Sequence, residues 1–156
     1  MNIKLSSSLI LGAALCPFWA PGQGPGLPLS LSIEPKLEHL HTGAPVVIKI
    51  TVTNTSGHDV GYVTGHLGDY KVAVSDEHGN VIGPAPRKGV TVTAGSWIVA
   101  ALKPKDSIGE ELTLNDRADF TKPGTYWIRV LRPLRELGKG SVASNAVKVV
   151  IDEPPK

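Results

Sequence analysis

Histidine is the residue type in this chain most able to do chemistry. His39 and His41 stand two apart, which on a strand puts both rings on one face, and His58 and His66 flank a glycine-rich stretch. Four imidazoles brought together would suit Zn²⁺ or Cu²⁺, which take three or four such donors. The set His39, His41, His58 and His66 is therefore one reading, a small metal-handling protein. Scattered surface histidines are its plain alternative, since no spacing here is diagnostic. A blue-copper centre needs a cysteine ligand, and Cys16 is the single cysteine. Met1 is the single methionine, which excludes methionine-based copper sites.

Acidic turns raise calcium. Asp76-Glu77-His78-Gly79-Asn80 gathers oxygens, and Asp116 and Asp119 add more, but the ligand spacing of an EF-hand and its closing Glu are missing. A hairpin turn explains the same residues. Hydrolase signatures are absent: the chain has no G-x-S-x-G elbow, no H-E-x-x-H and no phosphate-binding glycine loop. The reading is accordingly not an enzyme, with no cofactor.

A different chemistry sits near the C-terminus. If Tyr126, Ile128 and Val130 face a core, then Trp127 and Arg129 face outward, and these are the residue types most enriched at binding hot spots. Arg132, Arg135 and Lys139 follow in what reads as a long basic loop. Trp127, Arg129, Arg132, Arg135 and Lys139 form the candidate binding set, for an unknown protein or glycan. Packing of Trp127 under a neighbouring strand is the competing reading. A net charge of +2 over 156 residues argues against nucleic acid as the partner. A protease-inhibitor role would need a long, rigid, exposed loop.

The elements that must position these residues are strands. Leu29, Leu31 and Ile33 alternate with polar residues until Pro35. Val46, Ile48, Ile50 and Val52 alternate with Val47, Lys49, Thr51 and Thr53. Tyr70, Val72 and Val74 start a further strand, with Val81-Ile82 as its hairpin partner across a loop in which Gly79 takes a positive φ. Residues 90–93, 97–102 and 108–114 read as strands, the last with Leu112 and Leu114 inward. Residues 115–120 read as a single helical turn. Pro123-Gly124 suits the centre of a type II turn, before strands at 126–131 and 146–151. Tyr126, just after that turn, is placed to act as a tyrosine corner. Seven to nine short strands and no helical period predict an all-β fold: an antiparallel two-sheet sandwich, immunoglobulin- or fibronectin-III-like, over residues 29–152.

Residues 1–22 read as a signal peptide, with Lys4 before an uncharged stretch from Leu5 to Ala20. Residues 23–28 follow as a Gly/Pro linker, and 153–156 form a tail. Ala13-Ala14-Leu15-Cys16 is a poor lipobox, because Leu15 stands where a small residue belongs. Removing the leader removes Cys16, and with it any disulfide or thiol chemistry.

Leu102-Lys103-Pro104-Lys105-Asp106-Ser107, then Pro123-Gly124-Thr125-Tyr126, then Ser144-Asn145-Ala146-Val147 stand in order. This arrangement resembles a family of secreted bacterial immunoglobulin-like domains with the pattern L-x-P-G-x-S, P-G-x-Y-x-V and S-N-x-V-x-V. Lys105 stands where that family has Gly, so a differently shaped turn is expected. The resemblance implies a sandwich in a secreted or periplasmic bacterial protein and brings no catalytic residue. The sequon Asn54-Thr55-Ser56 would matter only in a eukaryotic secretory pathway.

Overall fold

Period-two alternation of β-branched residues becomes the ladder at the centre of the first sheet. In the computed structural model, residues 26–64, 70–84, 98–134 and 140–154 are described. Strand β3 (Val47–Asn54) lies between β1 (Leu29–Pro35) and β7 (Ser107–Thr113), antiparallel to both. Val46, Ile48, Ile50 and Val52 are fully buried, as are Leu29, Leu31 and Ile33 beside them. Each side chain of this size taken out of water stabilises the fold by about 1.5–3 kcal/mol. The opposite face of this sheet is polar and of mixed charge, with Lys36 Nζ 3.1 Å from both carboxylate oxygens of Glu111.

The second sheet has β8 (Gly124–Pro133) at its centre. It pairs antiparallel with β5 (Lys71–Asp76), with β10 (Val147–Asp152) and, at its far end, with β9 (Ser141–Ala143). Strand β2 (His39–His41) joins the outer side of β10, and this pair is parallel. Chain direction explains that exception. The chain leaves the first sheet at Pro35, crosses over and resumes in the second sheet as β2. Pro35 suits the crossing because its ring nitrogen cannot extend a ladder. The next residue, Lys36, still donates its amide to Val47 at 2.9 Å. A third ladder, β4 (Val60–Thr64) with β6 (Ile98–Leu102), sends Val60, Tyr62 and Leu102 into the same core. The described residues contain ten strands and no helix.

Three asparagine side chains act as substitute backbone. Asn54 has no exposed surface; its Nδ2 donates to the carbonyls of His58 and Leu102, and its Oδ1 accepts from Ser56 N and Ser56 Oγ. The sequon is therefore closed to glycosylation in the folded state. Asn115 Oδ1 accepts from Val46 N at 2.7 Å, and its Nδ2 donates to Ala44 O. Asn145 accepts from Ile33 N and donates to Ile33 O, covering the free side of β1 as a neighbouring strand would. The asparagines of Leu114-Asn115 and of the Ser144-Asn145 motif thus tie loops to strands.

The inward sets expected for β1, β3 and β8 match the buried residues, as do Val149 and Ile151 of β10 while Val147 is only partly buried, and residues 115–118 form the expected turn, with Ala118 N bonded to Leu114 O. Tyr126 is a tyrosine corner: its hydroxyl donates to Lys122 O at 2.8 Å and its ring meets Phe120 edge-on. Gly79 has a φ of +83°.

Other expectations need correcting. Gly124 has a φ of +153°, far from the ~+80° of a type II turn, because it already pairs with Ile151 as the first residue of β8. Ahead of it, Asp119 Oδ1 accepts from Thr121 N and Thr121 Oγ1, which closes a local turn. The Val81-Ile82 return beside β5 is short rather than a full strand: Val81 bridges Ser75 with its side chain exposed, and Ile82 N donates to Val74 O at 2.9 Å. Lys105 adopts a left-handed φ of +70°, a conformation that favours glycine, and its amide donates to Asn54 O. The expected leader at 1–22, most of the 23–28 linker, the strand at 90–93 and the end of the tail lie outside the described residues.

Candidate functional site

Strand β8 carries the candidate face. Alternation along it sends Tyr126, Ile128 and Val130 into the core and Thr125, Trp127, Arg129 and Leu131 to the outer surface, where each is half-buried. On one side Trp127 stands beside Ser75 and Arg129 beside Ala73, with Lys71 beside Leu131. Across the other side Lys148 stands beside Trp127, Val150 beside Thr125 and Ala143 beside Leu131. Lys71 and Lys148 are exposed. The indole is therefore bracketed by short side chains on β5 and by cations on three strands. The carboxylate on this face, Asp152, lies at the far end of β10, 3.6 Å from His39 Nδ1. Trp127 and Arg129 share this surface, as the alternation predicts.

Arg132 does not join them. It belongs to β8, is 2% exposed and places its guanidinium 4.5 Å from the centre of the Tyr62 ring. Parity explains the correction: counting by twos from Tyr126 reaches Arg132 and then Leu134, so the strand's inward row runs past the point where Pro133 suggested a loop. Arg135 and Lys139 lie outside the described residues.

Beneath Arg132 is a polar cluster that sequence reasoning missed. Tyr62 and Tyr70 are both buried, their hydroxyls are 3.1 Å apart, and both bond to Glu110 Oε1. Burial pushes both phenols above the usual tyrosine value, and for Tyr70 the hydrogen bond to Glu110 pushes the same way. Arg117 adds a hydrogen bond to Tyr70 O. The cluster places a cation over an aromatic face and two phenols on one carboxylate, which fixes β4, β5, β7 and β8 relative to one another. Its signal was the Val60-x-Tyr62 alternation, hidden because Gly57, Gly61 and Gly65 made the segment read as loop.

Among the described residues the histidines are not brought together. His39 and His41 do share the outward face of β2, but His41 Nδ1 lies 3.3 Å from Glu153 O, His58 sits in the β3–β4 loop, and His66 lies outside the described residues. Among the described residues no group of three or more His, Cys, Asp or Glu could hold a metal ion. The Asp76 carboxylate is consumed by its own turn, accepting from His78 N, Asn80 N and Asn80 Nδ2, and these bonds hold it below the usual carboxylate value. Among the described residues no helix is long and apolar enough to cross a membrane.

No model of a known family and no curated protein matches the chain. Solved structures of similar shape include a CARDB domain from Pyrococcus furiosus, crystallised with di-metal ions. It is 15% identical over 81% of this chain and 94% of that one, with a TM-score of 0.45. A β-glucosidase from Erythrobacter marinus (11% identity, TM-score 0.44) and one from Listeria innocua in complex with glucose (11% identity, TM-score 0.41) also align. They align over 80% and 79% of this chain, which spans only 15% and 16% of theirs. At these identities the likeness carries no site and no activity. The chain is an all-β, immunoglobulin-like sandwich.

Proposed function

We propose that the protein is a non-enzymatic interaction module, exported by a bacterium, that binds its partner on the outer face of the five-stranded sheet. The observation that carries this reading is the contrast between the two sheet faces. Among the described residues, the outer face of the β1–β3–β7 sheet is polar, of mixed charge and without an aromatic residue. The outer face of the other sheet carries Trp127 and Arg129 on its central strand, between the exposed Lys71 and Lys148. Aromatic and arginine residues on a rigid strand present contact area at little entropic cost. Arg132 takes no direct part; it supports the sheet from below through Tyr62.

The test is a parallel binding screen of the wild type and the Trp127→Ala/Arg129→Ala double variant against purified glycans and exported proteins. Loss of the wild-type signal in the variant, with thermal unfolding still cooperative, supports the reading. An unchanged signal refutes it.

A further inference from the structure

Resting on that reading of the face, we infer that its ligand is an acidic polysaccharide bearing carboxylate groups, lying across β8. Charge complementarity is the first support. Lys71, Arg129 and Lys148 supply three cations from three adjacent strands, and among the described residues the outward positions around Trp127 hold no carboxylate. The acidic residue on the face, Asp152, is at its opposite end beside His39. Such a patch attracts a polyanion before contact and loses that attraction as salt rises.

Relief of the surface is the second support. Positions next to Trp127 and Arg129 on β5 are Ser75 and Ala73, and Ala143 stands beside Leu131. Short side chains thus border Trp127 and Arg129 on the β5 side, which favours an extended ligand lying over β8. A pyranose ring offers a flat C–H face to an indole and keeps its carboxylate at the ring's edge. Along β8 the step from Trp127 to Arg129 is two residues, about 6.8 Å. A sugar stacked on Trp127 thus places its carboxylate toward the Arg129 guanidinium, a charge-assisted pairing. Sugars on either side of it pass toward Lys148 and Lys71 on the flanking strands.

The experiment is calorimetric titration of the exported domain with sodium polygalacturonate, neutral dextran and sodium polyglutamate at two salt concentrations. The expected result is binding to polygalacturonate that weakens at least tenfold on raising salt, with dextran silent and polyglutamate much weaker. Lys71→Glu/Lys148→Glu, which changes only exposed residues and so keeps the fold, should abolish binding. Trp127→Ala should weaken it about tenfold. Dextran binding equal to polygalacturonate removes the role of the cations and overturns the inference. Polyglutamate bound as well or better replaces the glycan with an acidic polypeptide; if Trp127→Ala abolishes that binding, the face itself stands. Polygalacturonate bound equally by wild type and both variants overturns the inference and the face together. Silence with all three polymers overturns the inference alone.

Discussion

Replacing Asn54 by Ala should cost the domain about 2.5–6 kcal/mol, a large share of the 5–15 kcal/mol that typically separates folded from unfolded. The figure follows from the side chain's four hydrogen bonds. Leu102 O is buried, so losing its donor leaves an unsatisfied carbonyl worth about 1–3 kcal/mol. The groups contributed by Ser56 and His58 lie nearer water and rehydrate, so each costs only about 0.5–1 kcal/mol. Asn54→Asp separates hydrogen bonding from packing, because it keeps the shape and the bonds from Ser56. It replaces the amide donor by an anion facing two carbonyls, each 2.8 Å from the present nitrogen. That carboxyl would have a raised folded-state value, so its penalty is smallest below the unfolded carboxyl value and grows as pH rises through it. Urea denaturation at pH 7 and pH 4 measures both variants, with an unchanged m-value as the check that the unfolded state is comparable. A cost below 1 kcal/mol for Asn54→Ala, or an Asn54→Asp variant as stable as wild type at pH 7, would refute the assignment of this asparagine as the clip joining the β3–β4 and β6–β7 connections.

Three further outcomes follow from the same geometry. Tyr62 and Tyr70 have folded-state values raised by burial, so their stabilising contribution is complete below the unfolded tyrosine value near 10 and falls as pH rises beyond it. Urea midpoints should therefore drop steeply above pH 10, and less steeply in Tyr70→Phe; parallel curves would contradict this. Lys105→Gly should stabilise the domain by about 1 kcal/mol by relieving a left-handed φ of +70°, while Lys105→Ala should change little. Thermal melting distinguishes them. Tyr126→Phe should cost about 1 kcal/mol through loss of the hydroxyl bond to Lys122 O, seen as a lower melting temperature with the fold intact.

Legibility in the sequence tracked the mechanism holding each element. Strands β1, β3, β8 and β10 were readable because one face is buried and the alternation is unbroken: Ile48 and Ile50 against Lys49 and Thr51 leave a single register open. Strand β4 was not readable, since its glycine-flanked run looks like a loop until Tyr62 is matched with Tyr70, Glu110 and Arg132 from distant parts of the chain. Strands β2 and β9, three residues each, exist only through pairing with β10 and β8. Of the candidate site, Trp127 and Arg129 followed from parity, and the same parity carried one residue past Leu131 would have placed Arg132 inside. Lys71 and Lys148 became part of the face only once β5 and β10 were known to flank β8, a pairing that local pattern does not encode.

The most direct test of the binding face is residue-by-residue amide shift mapping of the isotopically labelled domain during titration with short oligogalacturonates. The account predicts shifts concentrated on Lys71, Ala73, Ser75, Trp127, Arg129 and Lys148, across three adjacent strands. Shifts concentrated instead on Lys49, Thr51 and Thr53 of β3, on the opposite sheet, would contradict it.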